Sequence, residues 1–353
     1  MSEFELSQAG ERTWDVVVAG GGAAGLSAAL NLARVRRSVL VINAGEPRNA
    51  LAVDVGAHGI LGRDGISPLE LLRLGREEVA SYGGRVVAGR VEQIRRDGAE
   101  FSVVTEDGHR VRARRVLVTT GLVDELPDVP GLAERWGRDV LHCVYCHGWE
   151  IRDTPIGVLD SFHQALLFRQ MSEDVTLFRH TGAELTDGQW EQLAGLGVAV
   201  VDGAVAGLEV DGEDRLAGVR LTSGRVVPVR ELVVAPRFVA RAGFLDGLGL
   251  VVREHPMGVG EQLHVDGSGF TGVPGVWAAG NVSDVFAGVP AAAAAGVTAA
   301  AAIHMDLLTA DARAAALSWA AGGGVFSGRM EGAVARRVLG ARAHGLEPFP
   351  GSN

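Results

Sequence analysis

The first strongly apolar stretch of the chain leads directly into a cluster of glycines. The sequence DVVVAGGGAAG (15–25) begins with an acidic residue, continues through a hydrophobic run and ends in small residues. An alanine- and leucine-rich segment follows at 26–34, and a second apolar run covers 38–42. A buried strand, a helix and another buried strand in this order predict a β–α–β unit of a parallel sheet.

The glycines at the first strand–helix junction have the spacing GxGxxG. Gly20 would make the tight turn, Gly22 would let bare backbone approach a pyrophosphate, and Gly25 would let the helix pack close to the strand. Alone, such a motif can be an ordinary glycine-rich turn, but the flanking strand and helix favour dinucleotide binding. Asn43 stands where an acidic residue normally binds the ribose, and Glu46 is a nearby substitute.

Two later strands also end in small residues. The segment 116–131 contains Thr119-Thr120-Gly121, and the segment 272–286 contains Gly280-Asn281 ahead of an alanine-rich run. Between them, 155–234 has a second β–α–β-like pattern. The order predicts an α/β fold with two Rossmann-like, three-layer nucleotide-binding-type domains, the second inserted in the first.

The predicted domain boundaries follow from this order. An outer domain would comprise 1–120 plus 241–310, and an inner domain would comprise 121–240. The remaining residues, 311–353, would form a C-terminal helical extension.

Composition removes several classes of function. The net charge of −10, without a basic stripe, argues against a nucleic-acid partner. All 33 basic residues are arginine, so neither a P-loop lysine nor a Schiff-base lysine is present. The polar N-terminus does not resemble a signal peptide, and the apolar run 290–303 is too short to span a bilayer. We therefore expect a cytoplasmic protein without a membrane partner.

The chain has two cysteines, Cys143 and Cys146, and His147 follows the second. Zinc would need two further ligands, and neither another cysteine nor a suitably spaced histidine pair is present, so no metal site is predicted. A structural disulfide across two residues would constrain little and is unusual in the cytoplasm. A redox pair is favoured, because a helix start would lower the thiol pKa.

Together these motifs resemble the low-molecular-weight thioredoxin reductase family over residues 13–308. Within it, CVYCHG (143–148) and AAGNV (278–282) resemble the branch with the gliotoxin- and holomycin-type dithiol oxidases. The resemblance implies FAD in the outer domain, with its isoalloxazine ring against the disulfide, and a homodimer. It implies that Cys146 faces the flavin, Cys143 exchanges with substrate, and His147, at a position where the family's reductases carry aspartate, moves protons.

The resemblance also implies a set of FAD contacts. They are Gly20, Gly22, Ala23, Ala24, Gly25, Asn43, Gly45, Glu46, Arg48, Asn49, His58, Val91, Thr120, Gly121, Gly280, Asn281, Val289 and Pro290. His58 is in addition a candidate second proton carrier, in a segment (56–65) that either borders the pocket or merely connects elements. Asn281 replaces the family's aspartate, and Gly288 replaces a glutamine ahead of the flavin-facing helix.

The first strand–helix turn of the inner domain departs most from the family. A strand is predicted at 155–159 and a helix at 164–171, and the turn between them is Asp160-Ser161-Phe162-His163, without glycine. Bare backbone is needed there to bind a pyrophosphate, and the Asp160 carboxylate would repel it. We therefore expect that NADPH binding is lost.

Loss of NADPH predicts the direction of electron flow. Electrons would enter from a small-molecule dithiol through the cysteine pair and leave through FAD to O2, which makes the predicted function a dithiol oxidase. Two alternatives remain open. One is a disulfide reductase of thioredoxin-like proteins that uses NADPH or ferredoxin, and the other is a non-catalytic flavin protein whose cysteine pair senses redox state.

Overall fold

The structure is a computed structural model that describes residues 6–49, 55–321 and 328–339. The chain divides into two compact units, Met1–Ile303 and His304–Asn353. The predicted outer and inner domains lie inside the first unit as far as Ile303. Their boundaries stay a prediction.

Both units contain helices, and the strands belong to the first. The helices are α1 Leu6–Ala9, α2 Ala23–Arg34, α3 Pro68–Ser81, α4 Leu132–Arg135, α5 Val144–His147, α6 Phe162–Phe168, α7 Asp187–Leu196, α8 Val289–Ala321 and α9 Gly328–Leu339, with a 3-10 helix at Gly243–Leu248. The strands are β1 Thr13–Ala19, β2 Val39–Asn43, β3 Arg85–Ala88, β4 Val91–Asp97, β5 Glu100–Thr105, β6 Arg110–Val118, β7 Leu122–Glu125, β8 Val140–Leu141, β9 Ile156–Leu159, β10 Val175–Phe178, β11 Ala199–Val201, β12 Val205–Val210, β13 Leu216–Leu221, β14 Val226–Val227, β15 Glu231–Val233, β16 Arg237–Ala240, β17 Val252–Glu254, β18 Gly260–Leu263 and β19 Val276–Ala278.

The largest sheet is built around the predicted first β–α–β unit. Its strands run in the order β3-β2-β1-β6-β5-β4, and β19 pairs in parallel with β6. Strand β1 is parallel to both β2 and β6, and its last four residues are fully buried. A central parallel strand is covered on both faces, which explains why 16–19 are continuously apolar rather than alternating. The helix α2 begins at Ala23, three residues earlier than predicted.

A second parallel sheet corresponds to the predicted inner domain. Its order is β11-β10-β9-β15-β8, with every neighbouring pair parallel. The segment with the two cysteines follows its edge strand β8 directly. The predicted α/β fold is therefore confirmed, although α6 begins at Phe162 and has only seven residues, against the predicted helix at 164–171.

Two smaller sheets complete the first unit. Strands β12, β13 and β14 form an antiparallel meander, and β17, β18, β16 and β7 form a mixed four-stranded sheet. In the mixed sheet, β7 and β16 are antiparallel neighbours. These two strands lie next to the positions where the chain is predicted to enter and leave the inner domain. Their pairing therefore brings the two connecting segments side by side.

The apolar run 290–303 was predicted to be too short to span a bilayer, and this prediction is wrong because the helix that contains the run is much longer. The run 290–303 is part of α8, which continues to Ala321, and Val289–Trp319 is long and apolar enough to cross a membrane by length and composition alone. A buried core helix meets the same criterion. Within the first unit α8 packs closely against α2 at one position, because a Cβ on Gly296 would lie 2.1 Å from the carbonyl oxygen of Ala24.

The second unit, His304–Asn353, contains the rest of α8 and the helix α9. Helical structure is thus present in the predicted C-terminal extension. Part of the predicted extension, including the glycines at 322–324, lies outside the described residues.

Candidate active site

One large cavity of about 1640 Å³ lies at the carboxyl ends of the central strands of the largest sheet. Residues after β1, β2, β6 and β19 line it on one side, and the segment with the two cysteines lines it on another. Ligands of open parallel sheets bind at this edge. Every predicted cofactor contact except Gly25 lines the cavity, as do Cys143, Cys146 and His147.

The turn after β1 is shaped for close approach of a ligand to the backbone. Gly20 has φ +111°, and a Cβ there would lie 2.3 Å from the carbonyl oxygen of Thr119. At Gly25 a Cβ would lie 2.1 Å from the carbonyl oxygen of Gly20, whereas at Gly22 it would meet no protein atom within 4 Å. Gly25 therefore serves helix packing, and Gly22 leaves open space at the N-terminus of α2.

The segment after β2 presents polar groups that are already partly engaged. The Asn43 side-chain oxygen accepts a hydrogen bond from the Gly45 N–H at 3.2 Å. A hydrogen bond from Arg90 lowers the pKa of Glu46, so this carboxylate is ionised. Both residues line the cavity and keep acceptor atoms for a ribose hydroxyl.

Arg48 is not a free cation, because its guanidinium is paired with a carboxylate. Its guanidinium makes two hydrogen bonds to Asp124 on β7, at 2.8 and 2.6 Å, and lies 5.2 Å from the ring of Phe238 on β16. The Asp124 side chain is 8% exposed. This carboxylate neutralises Arg48, and the arginine thereby connects the cavity wall to β7 and β16. The pairing could not be predicted from the sequence, because the two residues lie far apart along the chain.

Asn281 has a specific partner set that explains the departure from aspartate. Its side-chain N–H groups donate to the carbonyl oxygens of Ala287 at 2.9 Å and Asp284 at 3.1 Å. A carboxylate has no proton to donate and would face these oxygens with like charge. The amide therefore fixes the 284–287 loop, whose Phe286 reaches the cavity.

We expect Asn281→Asp to lower the free energy of unfolding by about 1–2 kcal/mol, because two donated hydrogen bonds become repulsive contacts. Urea unfolding of the purified protein measures this change. Asn281→Ala is the matched control, since it removes the same hydrogen bonds without adding charge and should cost less. Equal stability of the aspartate variant and the parent would contradict this role.

The two cysteines form a disulfide at the beginning of a single helical turn. Cys143 is the N-cap of α5, and the Cys146 N–H points at the Cys143 sulfur at 3.2 Å. The predicted helix start is therefore present, but α5 has only four residues, so it offers local N–H groups rather than a long helix dipole. These N–H groups can stabilise a thiolate on Cys143 after the disulfide opens.

His147 ends that turn and lines the cavity. Burial lowers the pKa of its imidazole, which is therefore neutral and able to accept a proton at pH 7. Its Nδ1 is buried and has no hydrogen-bond partner in the described protein. A neutral imidazole beside the disulfide suits the predicted proton transfer.

His142 and Gln164 also line the cavity, although neither was predicted from the sequence. Burial, reinforced by Arg48, lowers the pKa of His142 to about 4. The ring hydrogen-bonds to Gln164 at 3.2 Å and packs edge-on against Phe238. A histidine with these contacts positions the strand before Cys143. The adjacency of His142 to Cys143 was the only signal for it in the sequence.

The first turn of the second β–α–β unit is closed by its own side chains. The Asp160 carboxylate accepts hydrogen bonds from the backbone N–H groups of Gly182 at 2.9 Å and Thr181 at 3.4 Å. The Ser161 hydroxyl accepts from the Gln164 N–H at 3.3 Å, so it occupies one of the donors at the start of α6. This turn offers no exposed backbone cradle comparable to that of Gly20 and Gly22.

The cavity beside that turn is small and its cation is neutralised. It measures about 200 Å³, and Asp160, Arg179 and Glu184 are among its lining residues. Arg179 pairs with Glu184 at 2.6 Å and with Asp202 at 2.9 Å. Among residues 6–49, 55–321 and 328–339, no cluster of three or more His, Cys, Asp or Glu side chains is arranged to hold a metal ion.

Comparisons with known proteins agree with this geometry. The family described as pyridine nucleotide-disulphide oxidoreductase matches residues 14–296. Thioredoxin reductase sirT of Leptosphaeria maculans is 30% identical over 318 residues, which cover 84% of this chain and 95% of that protein. A probable thioredoxin reductase of Arthroderma benhamiae is 35% identical over 156 residues, but these cover only 42% of this chain and 38% of that protein.

A solved structure is similar over most of the chain. The crystal structure of HlmI superimposes with a TM-score of 0.83 at 43% identity, and the match covers 92% of this chain and 100% of that one. The fold of this chain is therefore shared with a solved protein over nearly its whole length.

Proposed function

Because the chain belongs to the pyridine nucleotide-disulphide oxidoreductases and is thioredoxin reductase-like, we propose that it is an FAD-dependent dithiol oxidase. It would form a disulfide in a small-molecule dithiol and use O2 as the electron acceptor. The family's description as disulphide oxidoreductases supports a catalytic role for the cysteine pair rather than a sensor role. The cytoplasmic location and the homodimer are parts of the same proposal.

The observation that carries the proposal is the closed turn at Asp160. A dinucleotide needs bare backbone at this junction, and a ligand-sized pocket is usually about 300–1,000 Å³. Here the Asp160 carboxylate takes the neighbouring backbone N–H groups, and the adjacent cavity of about 200 Å³ contains a second acid, Glu184. Arg179, which could bind a 2′-phosphate, already pairs with two carboxylates. These contacts favour a dithiol over NADPH as the electron source.

The large cavity fits FAD, which the family typically binds. Its volume of about 1640 Å³ is sufficient, and the open space at Gly22 lets a pyrophosphate reach the N-terminus of α2. Asn43 and Glu46 can accept hydrogen bonds from the ribose. FAD bound in this cavity would supply a two-electron acceptor for the cysteine pair, with O2 as the final acceptor.

The protein's own groups carry out the thiol exchange. The first substrate thiol attacks Cys143 and forms an S–S bond with it, while the bond between Cys143 and Cys146 breaks. His147 takes the proton of the attacking thiol. The second substrate thiol then attacks the substrate sulfur and releases Cys143. Two protons and two electrons leave the dithiol, and O2 takes up both to give H2O2.

Anaerobic mixing of the purified yellow protein with NADPH, and separately with dithiothreitol, tests the proposal. The flavin absorbance should stay unchanged with NADPH, bleach with the dithiol, and recover in air with one H2O2 per dithiol oxidised. Free FAD with dithiothreitol is the control for uncatalysed reduction. Rapid bleaching by micromolar NADPH, with transfer of electrons to thioredoxin, would replace the oxidase by a reductase.

A further inference from the structure

We propose that Glu150 and His58 form a proton relay that connects His147 to the protein surface, an inference that rests on the proposed dithiol oxidation. The relay begins at the imidazole beside the disulfide and passes through Glu150 and His58 to Asp64. It would remove the protons that substrate thiols release at the cysteine pair.

The segment that carries His58 is held in a compact and defined shape. Ala57 and Ile66 pair across it, and the Gly65 N–H donates to the Ala57 carbonyl at 3.0 Å. The Asp64 carboxylate also accepts the Gly59 N–H at 2.8 Å. A segment fixed by these contacts places the His58 ring in a constant position on the cavity wall.

The His58 ring lies between two carboxylates. Its Nδ1 is 3.2 Å from the Asp64 carboxylate, and its Nε2 is 3.5 Å from the Glu150 carboxylate. The Val55 carbonyl oxygen, 3.0 Å from Nε2, is a further acceptor. One face of this arrangement is wet, because the Asp64 side chain is 67% exposed, whereas the His58 and Glu150 side chains are 23% and 30% exposed.

Glu150 extends the same turn that carries the redox pair. Its backbone N–H donates to the His147 carbonyl at 3.2 Å, so the carboxylate follows His147 by three residues in a helical turn. His147 and His58 line the same cavity, and the charges of Glu150 and His58 both act on the pKa of the His147 imidazole. The mechanism above uses neither Glu150 nor Asp64, although both are placed beside a proton carrier.

The proton affinities of the two imidazoles favour outward transfer. Burial lowers the pKa of His147, which Glu150 partly offsets, and the hydrogen bond with Asp64 is the largest cause that raises the pKa of His58. The groups acting on these rings are Glu150, Asp64, the Val55 carbonyl and the rings themselves. A proton that leaves the cysteine pair therefore meets a stronger base nearer to the surface.

The test uses the full-length flavin-containing protein with Glu150→Gln and His58→Asn. Stopped-flow bleaching by dithiothreitol, without oxygen, gives the reduction rate as a function of pH. We expect both variants to slow reduction about tenfold and to increase the solvent deuterium isotope effect. In Glu150→Gln the acid inflection should move to lower pH, since removal of the charge lowers the pKa of His147 further, and added imidazole should restore the rate of His58→Asn.

The matched control is a histidine–carboxylate pair that does not line the cavity, His109 and Asp107, which are 3.7 Å apart. His109→Asn should leave the rate, the inflection and the isotope effect unchanged. Slower reduction in the relay variants with an unmoved inflection, an unchanged isotope effect and no rescue by imidazole would overturn the relay and indicate a structural role.

Failure of the relay and failure of the oxidase give different results. The oxidase proposal fails in the parent protein, through bleaching by NADPH or absence of bleaching by dithiols. The relay can still be tested in that case by iodoacetamide alkylation of the phosphine-reduced cysteine pair as a function of pH. The same shift of the acid inflection in Glu150→Gln supports the relay, and identical profiles in parent and variant overturn it.

Discussion

Serine in place of Cys143 or Cys146 is expected to lower kcat/KM for dithiol oxidation by more than about a thousandfold, because neither variant can form the disulfide that the substrate attacks. Oxygen consumption and H2O2 release with dithiothreitol measure this loss. The chain has no other cysteine, so thiol titration reports on the remaining sulfur alone. Turnover that survives either substitution would exclude the thiol-exchange mechanism.

The two variants also separate the roles of the sulfurs. In Cys143→Ser the remaining Cys146 thiolate should lie beside the flavin and produce a long-wavelength absorbance band. In Cys146→Ser this band should be absent, while Cys143 should still trap a thiol as a mixed disulfide detectable by mass spectrometry. Tyr145→Phe, on the same turn, is the control and should keep the parent's spectrum and disulfide. The opposite pattern of spectra would exchange the two assignments.

Features that depend on neighbours in sequence were predicted well. The strand β1, the glycine turn and α2 follow one another within 25 residues, and the pattern of buried and small residues specifies all three. The disulfide partners are equally local. The α/β fold and the resemblance to the thioredoxin reductase family are confirmed for this reason, because both depend mainly on such motifs in the right order.

Features that depend on contacts between distant segments were not predicted. The contact of Arg48 with the cofactor stays a prediction, whereas its pairing with Asp124, 76 residues away, only becomes evident in the fold. Asn281 appeared to be a simple departure from aspartate until its carbonyl partners were known. The length of α8 was underestimated because Asp306 and Asp311 interrupt the apolar pattern without interrupting the helix.

The proposed loss of NADPH binding depends on the turn at 160–163, of which the sequence and the structure reveal different features. The absence of glycine between Asp160 and His163 is visible in the sequence, and it predicts only that the backbone is covered. The structure adds that Asp160 binds the neighbouring N–H groups and that Arg179 is neutralised. A single glycine substitution in this turn would therefore not restore a nucleotide site, since the cation would stay paired.

Gly22→Val is expected to yield a folded but colourless protein, while Gly25→Ala is expected to impair folding itself. A Cβ at Gly22 would meet no protein atom within 4 Å, so a side chain there projects into the open space at the start of α2, which the proposal assigns to the ligand. At Gly25 a Cβ would lie 2.1 Å from the backbone oxygen of Gly20, and such overpacking costs about 1–3 kcal/mol of unfolding free energy or more.

The FAD content of purified protein, measured together with urea unfolding, distinguishes these two effects. Gly188→Val is the matched control for the Gly22 substitution, because Gly188 is an exposed helical glycine with open space around it, outside the large cavity. It should retain full FAD. Gly22→Val should lose FAD, yet unfold with the same denaturant dependence as parent protein from which FAD has been removed. A yellow Gly22→Val protein with full FAD content would place the pyrophosphate elsewhere, and the assignment of the GxGxxG turn to the cofactor would be wrong.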